Sequence, residues 1–151
     1  MTLSTSDFIA VLNDLIETCK DGENGFREAA QEVKNPALKT LFLNYANERG
    51  QYAMELQQRV SQLGQAPESS GSVAASLHRR WIDLKSAITG GSDQAVIDEC
   101  ERGEDIALES YRNAIAKDLP SDLKTVIERQ FTGVKAAHDR VRNLKHGQEY
   151  V

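Results

Sequence analysis

No run of apolar residues in this chain approaches the ~20 needed to cross a bilayer, so no membrane partner is expected. The first residues carry neither a basic cluster nor an apolar stretch. No secretion signal is therefore read, and the cytoplasm is the expected compartment. Cysteine is scarce, two in 151 residues, and in a reducing compartment a disulfide is not expected. Positive charge does not dominate either. A formal net charge of −5 and a pI near 5.2 argue against nucleic acid as a general partner. Also missing are a glycine-rich phosphate loop after a strand, a Cys-x-x-Cys pair, a His-Glu-x-x-His run and a convincing nucleophile triad. These absences tilt the reading away from an enzyme.

What remains is helix. Hydrophobic residues at 40% with charged residues at 27% describe a folded globule. The length suits one domain, 1–151, that buries roughly two-thirds of its unfolded surface. Apolar residues at helical spacing predict a first helix near 6–33, with Phe8, Leu12, Leu15, Cys19, Phe26 and Val33 on one face. Ser4 or Thr5 can cap it, and Asp7 suits its first turn. Asn35-Pro36 starts a second helix that carries Leu38, Leu41, Tyr45, Tyr52, Leu56, Val60 and Leu63 inward and stops at Gly64. After Gly90-Gly91, Ser92 caps a third helix reaching about residue 117. Leu119-Pro120-Ser121 then turns into a fourth, near 122–145, with Leu123, Ile127, Phe131, Val134, His138 and Val141 on one side.

The chain thus divides into a hairpin at 6–63, a connection at 64–91, a hairpin at 92–145 and a tail at 146–151. The connection is too long for a tight turn and holds a shorter amphipathic helix near 73–88, with Leu77, Trp81, Leu84 and Ile88 apolar. A crossover of that kind lets helices two and three run parallel. Charge favours packing of helix three on helix four: 92–118 has eight acidic and three basic residues, while 121–147 has six basic and three acidic.

The hairpins echo each other. Cys19-Lys20-Asp21-Gly22-Glu23-Asn24 returns 81 residues later as Cys100-Glu101-Arg102-Gly103-Glu104-Asp105. Leu38-Lys39-Thr40 returns 85 residues later as Leu123-Lys124-Thr125, a difference of about one helical turn. Duplication of a helical hairpin is the economical reading. In both copies the glutamate lies on the apolar stripe, so Glu23 and Glu104 are expected to point into the interior, where each charge needs compensation.

A bundle of two hairpins, a long crossover and inward glutamates resembles the ferritin-like superfamily. Within it, several stretches resemble a bacterial branch built around a DUF2383 domain. They include Cys19-Lys20-Asp21-Gly22, Asn35-Pro36-Ala37-Leu38, Gly71-Ser72-Val73, His78-Arg79-Arg80-Trp81, the second cysteine motif and Val134 through Arg140. The resemblance implies an all-α ferritin-like four-helix bundle over nearly the whole chain. It implies little about activity beyond a stress-related role.

Di-metal bundles take one glutamate from each of two helices and Glu-x-x-His from each of the others. Glu23 and Glu104 match the single glutamates. Helix two offers Glu48 with Gln51 in place of histidine, and helix four offers His138 with Lys135 in place of glutamate. Half the ligands are lost, and a lysine ammonium repels a cation. The first expectation is therefore a non-catalytic bundle. Glu23 and Glu104 pair with Lys135, His138 or Arg49 in a buried network that sets helix register, and Lys135 is the counter-charge whose loss strands the carboxylates. The alternative is iron, manganese or zinc held by Glu23, Glu48, Glu104 and His138, with Gln51 and Cys19 as further donors. Cys19 and Cys100 are otherwise packing residues, and Tyr45, Tyr52 and Tyr111 core. A homo-oligomer is compatible with the sequence, although no exposed apolar strip can be isolated from it.

Overall fold

The computed structural model describes residues 3–64 and 92–145. Four helices fill them: α1 (Thr5–Glu32), α2 (Pro36–Gln62), α3 (Asp93–Ile115) and α4 (Ser121–Lys145). The expected crossover helix near 73–88, its Trp81 and basic His78-Arg79-Arg80, and the tail at 146–151 lie outside the described residues.

Local chemistry explains the helix ends. Ser4 and Asp7 form a reciprocal capping box: the Ser4 hydroxyl accepts from the Asp7 amide, and the Ser4 amide donates to the Asp7 carboxylate at 2.9 Å. Asn35 Oδ1 accepts from the Ala37 and Leu38 amides, with Pro36 opening α2 where no amide is needed. The α1–α2 turn is also fastened to the second hairpin. Asp93, at the start of α3, accepts from the Lys34 and Asn35 amides at 2.8 and 3.0 Å. Gly64 ends α2 with φ of +87°, a backbone state that glycine adopts without strain.

Contacts at the helix ends give the topology. Residues 34 and 35, just after α1, meet the start of α3, while Arg59 near the end of α2 reaches Asp122 at the start of α4. Hence α1 is antiparallel to α2 and to α3, α4 is antiparallel to α2 and α3, and α2 and α3 run parallel as expected.

The apolar interior divides into two clusters. One gathers Leu12, Leu15 and Cys19 with Leu56, Tyr111 and Ile127; the other gathers Phe26, Val33 and Phe42 with Ile97, Cys100 and Leu144. Along each helix a buried polar side chain stands between the residues of one cluster and those of the other: Asp21, Arg49, Glu104 and His138.

The inner face of α2 differs from expectation by a rotation of its stripe. Its buried residues are Leu38, Phe42, Ala46, Arg49, Ala53, Leu56 and Val60, with Leu41, Tyr45, Tyr52 and Leu63 only partly buried. Ranking by hydrophobicity favours the tyrosines, but the stripe is built around an arginine. Ala46 and Ala53, one turn to either side, leave the volume that the guanidinium and its stem occupy. On α4, Phe131 is half-buried, and Gln130 takes a fully buried place.

Candidate functional site

The middle layer centres on Arg49 and Glu104, the former 1% and the latter 0% exposed. Arg49 Nη1 donates to Glu104 Oε1 at 2.7 Å and Nη2 donates to Oε2 at 2.5 Å, a forked geometry that uses both carboxylate oxygens. The guanidinium carbon also lies 5.5 Å from the centre of the Phe26 ring, within cation–π range. Burial disfavours the Arg49 charge, but the facing carboxylate outweighs it and holds the pKa above the ordinary arginine value.

Glycines let this layer close. A Cβ on Gly22 of α1 would lie 3.1 Å from Arg49 Nη1, and a Cβ on Gly50 of α2 would lie 2.7 Å from Glu23 Oε2. The Gly22-Glu23 and Arg49-Gly50 pairs therefore interlock: each charged side chain crosses onto the other helix's glycine. Glycine inside a helix costs about 1 kcal/mol relative to alanine, which this close approach offsets. Farther along, a Cβ on Gly133 of α4 would strike the Tyr52 hydroxyl.

A second set of polar contacts spans all four helices. The Gln130 amide donates to Glu55 Oε1 at 2.7 Å, which leaves Gln130 Oε1 to accept from the Tyr111 hydroxyl at 2.7 Å. That hydroxyl has given its one proton to Gln130, so the Cys19 thiol, 3.0 Å away, donates to the Tyr111 oxygen. Arg129 closes the outer end on Glu55. Burial pushes the Cys19 thiol up to about 11, against the opposing pull of the Arg49 charge, and burial pushes the Cys100 thiol up as well. Both cysteines are thus kept in the unreactive thiol form.

The remaining candidates are dispersed. Glu23 sits at the rim, its side chain 18% exposed, bound to Arg27 at 3.0 Å and Lys20 at 3.8 Å on its own helix. The expectation of a second buried carboxylate is corrected there: surface cations within a turn draw Glu23 outward. Glu48 is half-buried and hydrogen-bonded by the Tyr52 hydroxyl. Desolvation raises the Glu48 pKa and carries that of Tyr52 up to about 12. Gln51 is exposed on the outer side of α2. His138 turns toward the α3 surface, with Nε2 2.6 Å from Asp105 and Nδ1 3.1 Å from Asp139. Lys135 is half exposed and pairs with Asp139 at 2.8 Å, so it is not the interior counter-charge. Arg49, one of the three partners anticipated for the glutamates, fills that role. The expectation that loss of Lys135 strands the carboxylates falls with it, since it is loss of Arg49 that would strand Glu104.

Residues 7–117 match the family model described as "Domain of unknown function (DUF2383)". The chain belongs to the DUF2383 family. The match takes in α1 to α3 and ends before α4, so it is shorter than the near-complete resemblance read from the sequence. No curated protein matches the sequence. Among solved structures, a mutant of Mycobacterium smegmatis Dps1 superposes with a TM-score of 0.78 at 20% identity, over 95% of this chain and 99% of that one. That likeness places this DUF2383 chain in the ferritin-like four-helix-bundle fold.

The residues of this DUF2383 chain do not fit the metal centre that its fold class suggests. Glu104, the one candidate fully inside, spends both oxygens on a guanidinium, and Arg49 puts a fixed positive charge where a cation would sit. Among the described residues no group of three or more His, Cys, Asp or Glu side chains is placed to hold an ion. The sequence offered a signal for part of this arrangement: Gln130 falls at helical spacing between Ile127 and Val134, inside an otherwise apolar stripe.

Proposed function

We propose that this protein is a non-catalytic ferritin-like bundle in which the Arg49–Glu104 ion pair stands at the level where related bundles place metal. The pair joins α2 to α3, the two helices with no short connection, and so sets the register of one hairpin against the other. The observation that carries this reading is the forked contact, which satisfies the carboxylate without a cation from solution. Inert, protonated thiols and a histidine committed to surface carboxylates support it. A stress-related role rests on family resemblance alone.

The test is metal content. Protein purified without chelator, then exposed to ferrous, manganous or zinc ions and desalted, is expected to retain far less than one ion per chain by elemental analysis. Its melting temperature is expected to be unmoved by the same ions. Near-stoichiometric metal that disappears in a Glu48→Gln, His138→Asn variant would overturn the proposal, since neither change touches the buried pair.

A further inference from the structure

The outward face of α2 is unlike the rest of the surface. Eleven residues of α2 are exposed, between Pro36 and Gln62, and none is charged, in a chain where 27% of residues are. The other helices expose charge freely, for example Asp14 and Arg27 on α1, Glu109 on α3 and Lys135 on α4. The exposed large hydrophobic residues among those described, Leu43 at 45% and Met54 at 59%, both stand on this uncharged face. Depletion of charge around exposed apolar side chains marks the centre of an interface.

Spacing narrows the kind of partner. Thr40, Asn44, Asn47, Gln51, Met54 and Gln58 follow one another at alternating steps of four and three, so they line up along one side of α2 where a second helix can lie. The pattern is symmetric about position 49. If two copies of α2 lie antiparallel across a two-fold axis at that level, Asn47 meets Gln51, Asn44 meets Met54 and Thr40 meets Gln58, each pair occurring twice. A groove of about 370 Å³ beside Met54, lined also by Tyr52 and by the stems of the Glu55–Arg129 pair, lies opposite Leu43 of the other copy in this arrangement. Charge points the same way. Two copies each carrying a net −5 repel over most of their surfaces, but this strip contributes nothing to that repulsion. A strongly charged partner finds no complement on it.

We propose that the outer face of α2 is a self-association surface that pairs antiparallel with the same face of a second copy. The strip from residue 40 to 61 is ~33 Å long and about one helix diameter wide. That footprint falls short of the ~800 Å² per partner typical of stable complexes, so the pairing is weak, with a dissociation constant on the order of micromolar or above.

Sedimentation velocity from low to several hundred micromolar tests this. The weight-average mass should climb from the 16.7 kDa of one chain toward twice that value. A Leu43→Lys, Met54→Lys variant should stay monomeric throughout with an unchanged melting temperature, because both side chains are exposed. Geometry is read separately with a short thiol-directed cross-linker, the native cysteines being buried. Asn47→Cys lies close to the axis and should cross-link to its own copy. Leu43→Cys, about 18 Å from its copy along the axis at 1.5 Å per residue, should not. A monomer at every concentration, association untouched by the lysine variant, or cross-linking through Leu43→Cys as readily as through Asn47→Cys would each overturn the proposal.

Discussion

The two hairpins share the cysteine, glycine and glutamate of one six-residue motif and put the glutamate to different uses. In α1 the motif's glutamate, Glu23, lies at the rim between Lys20 and Arg27; in α3 its counterpart, Glu104, lies at the centre with no exposure. The difference comes from the partner helices. At the 85-residue offset that relates α2 to α4, Arg49 corresponds to Val134, so only the first hairpin brings a cation inside. That arginine passes over the glutamate of its own hairpin and forks onto the carboxylate of the other. One buried charge is neutralised by one, and the link runs between hairpins rather than within either. A repeated motif makes burial of a carboxylate available, and the opposing side chain decides which copy accepts it.

The largest expected effects come from breaking that asymmetry. Glu104→Leu or Arg49→Met each leave an uncompensated buried charge and should lose about 3–5 kcal/mol by urea unfolding. The double variant should recover most of that loss, because a filled apolar layer carries no desolvation penalty. Glu23→Leu, by contrast, removes a partly solvated carboxylate held by exposed cations and should change stability by less than about 1 kcal/mol. Equal losses for Glu23→Leu and Glu104→Leu would show that the hairpins are energetically alike and that the central pair has no special standing.

Next in size are the glycines. Gly133→Ala drives a methyl group into the Tyr52 hydroxyl and should cost roughly 1–3 kcal/mol of overpacking, set against about 1 kcal/mol gained in helix propensity. Tyr52→Phe in the same chain should relieve it. Gly50→Ala meets only the far end of Glu23, which can swing toward solvent, and should come out near neutral. If Gly133→Ala stabilises instead, the α2–α4 approach is looser than the structure shows.

Helix ends, the crossed-over topology and the burial of Glu104 were legible because caps, prolines and apolar periodicity act locally and leave a mark in the sequence. The phase of α2 was not. A stripe holding an arginine between alanines scores below one holding two tyrosines, and only the three-dimensional volume around Phe26 and Gly22 shows why the arginine belongs inside. Lys135 misled for the same reason: spacing places it beside His138, but the i, i+4 carboxylate of Asp139 holds it at the surface. Glu23 sat on the correct stripe, yet two neighbouring cations on its own helix were enough to keep it at the rim.

Acid titration should separate the hairpins by sign. In the second, hydrogen bonds from Lys135 and His138 hold the Asp139 pKa below its ordinary 3.8, so its contribution to stability is present above that value and fades as pH falls below it. In the first, burial raises the Glu48 pKa above 4.5, so folding favours the protonated form and stability drops as pH rises through that shifted value. Asp139→Asn should therefore be less stable than the parent at pH 7, and Glu48→Gln more stable. Both differences should vanish at strongly acid pH, and a difference of the same sign in the two variants would contradict the assignments.

The smallest effect concerns the positions where the copies agree. Cys19 and Cys100 are both buried thiols with raised pKa values, so a thiol-specific reagent should label neither in the folded protein at neutral pH and both after unfolding. They differ in one contact, because Cys19 is hydrogen-bonded to Tyr111 and the polar chain beyond it. Tyr111→Phe removes that contact and leaves Gln130 short of a donor, a loss of about 1 kcal/mol or more. If the loss acts locally, labelling of Cys19 should speed up about fivefold while Cys100 keeps its parent rate. Equal acceleration of both would mean that the thiols are reached only through global unfolding, and that the chain through Tyr111 stabilises the whole bundle rather than its own neighbourhood.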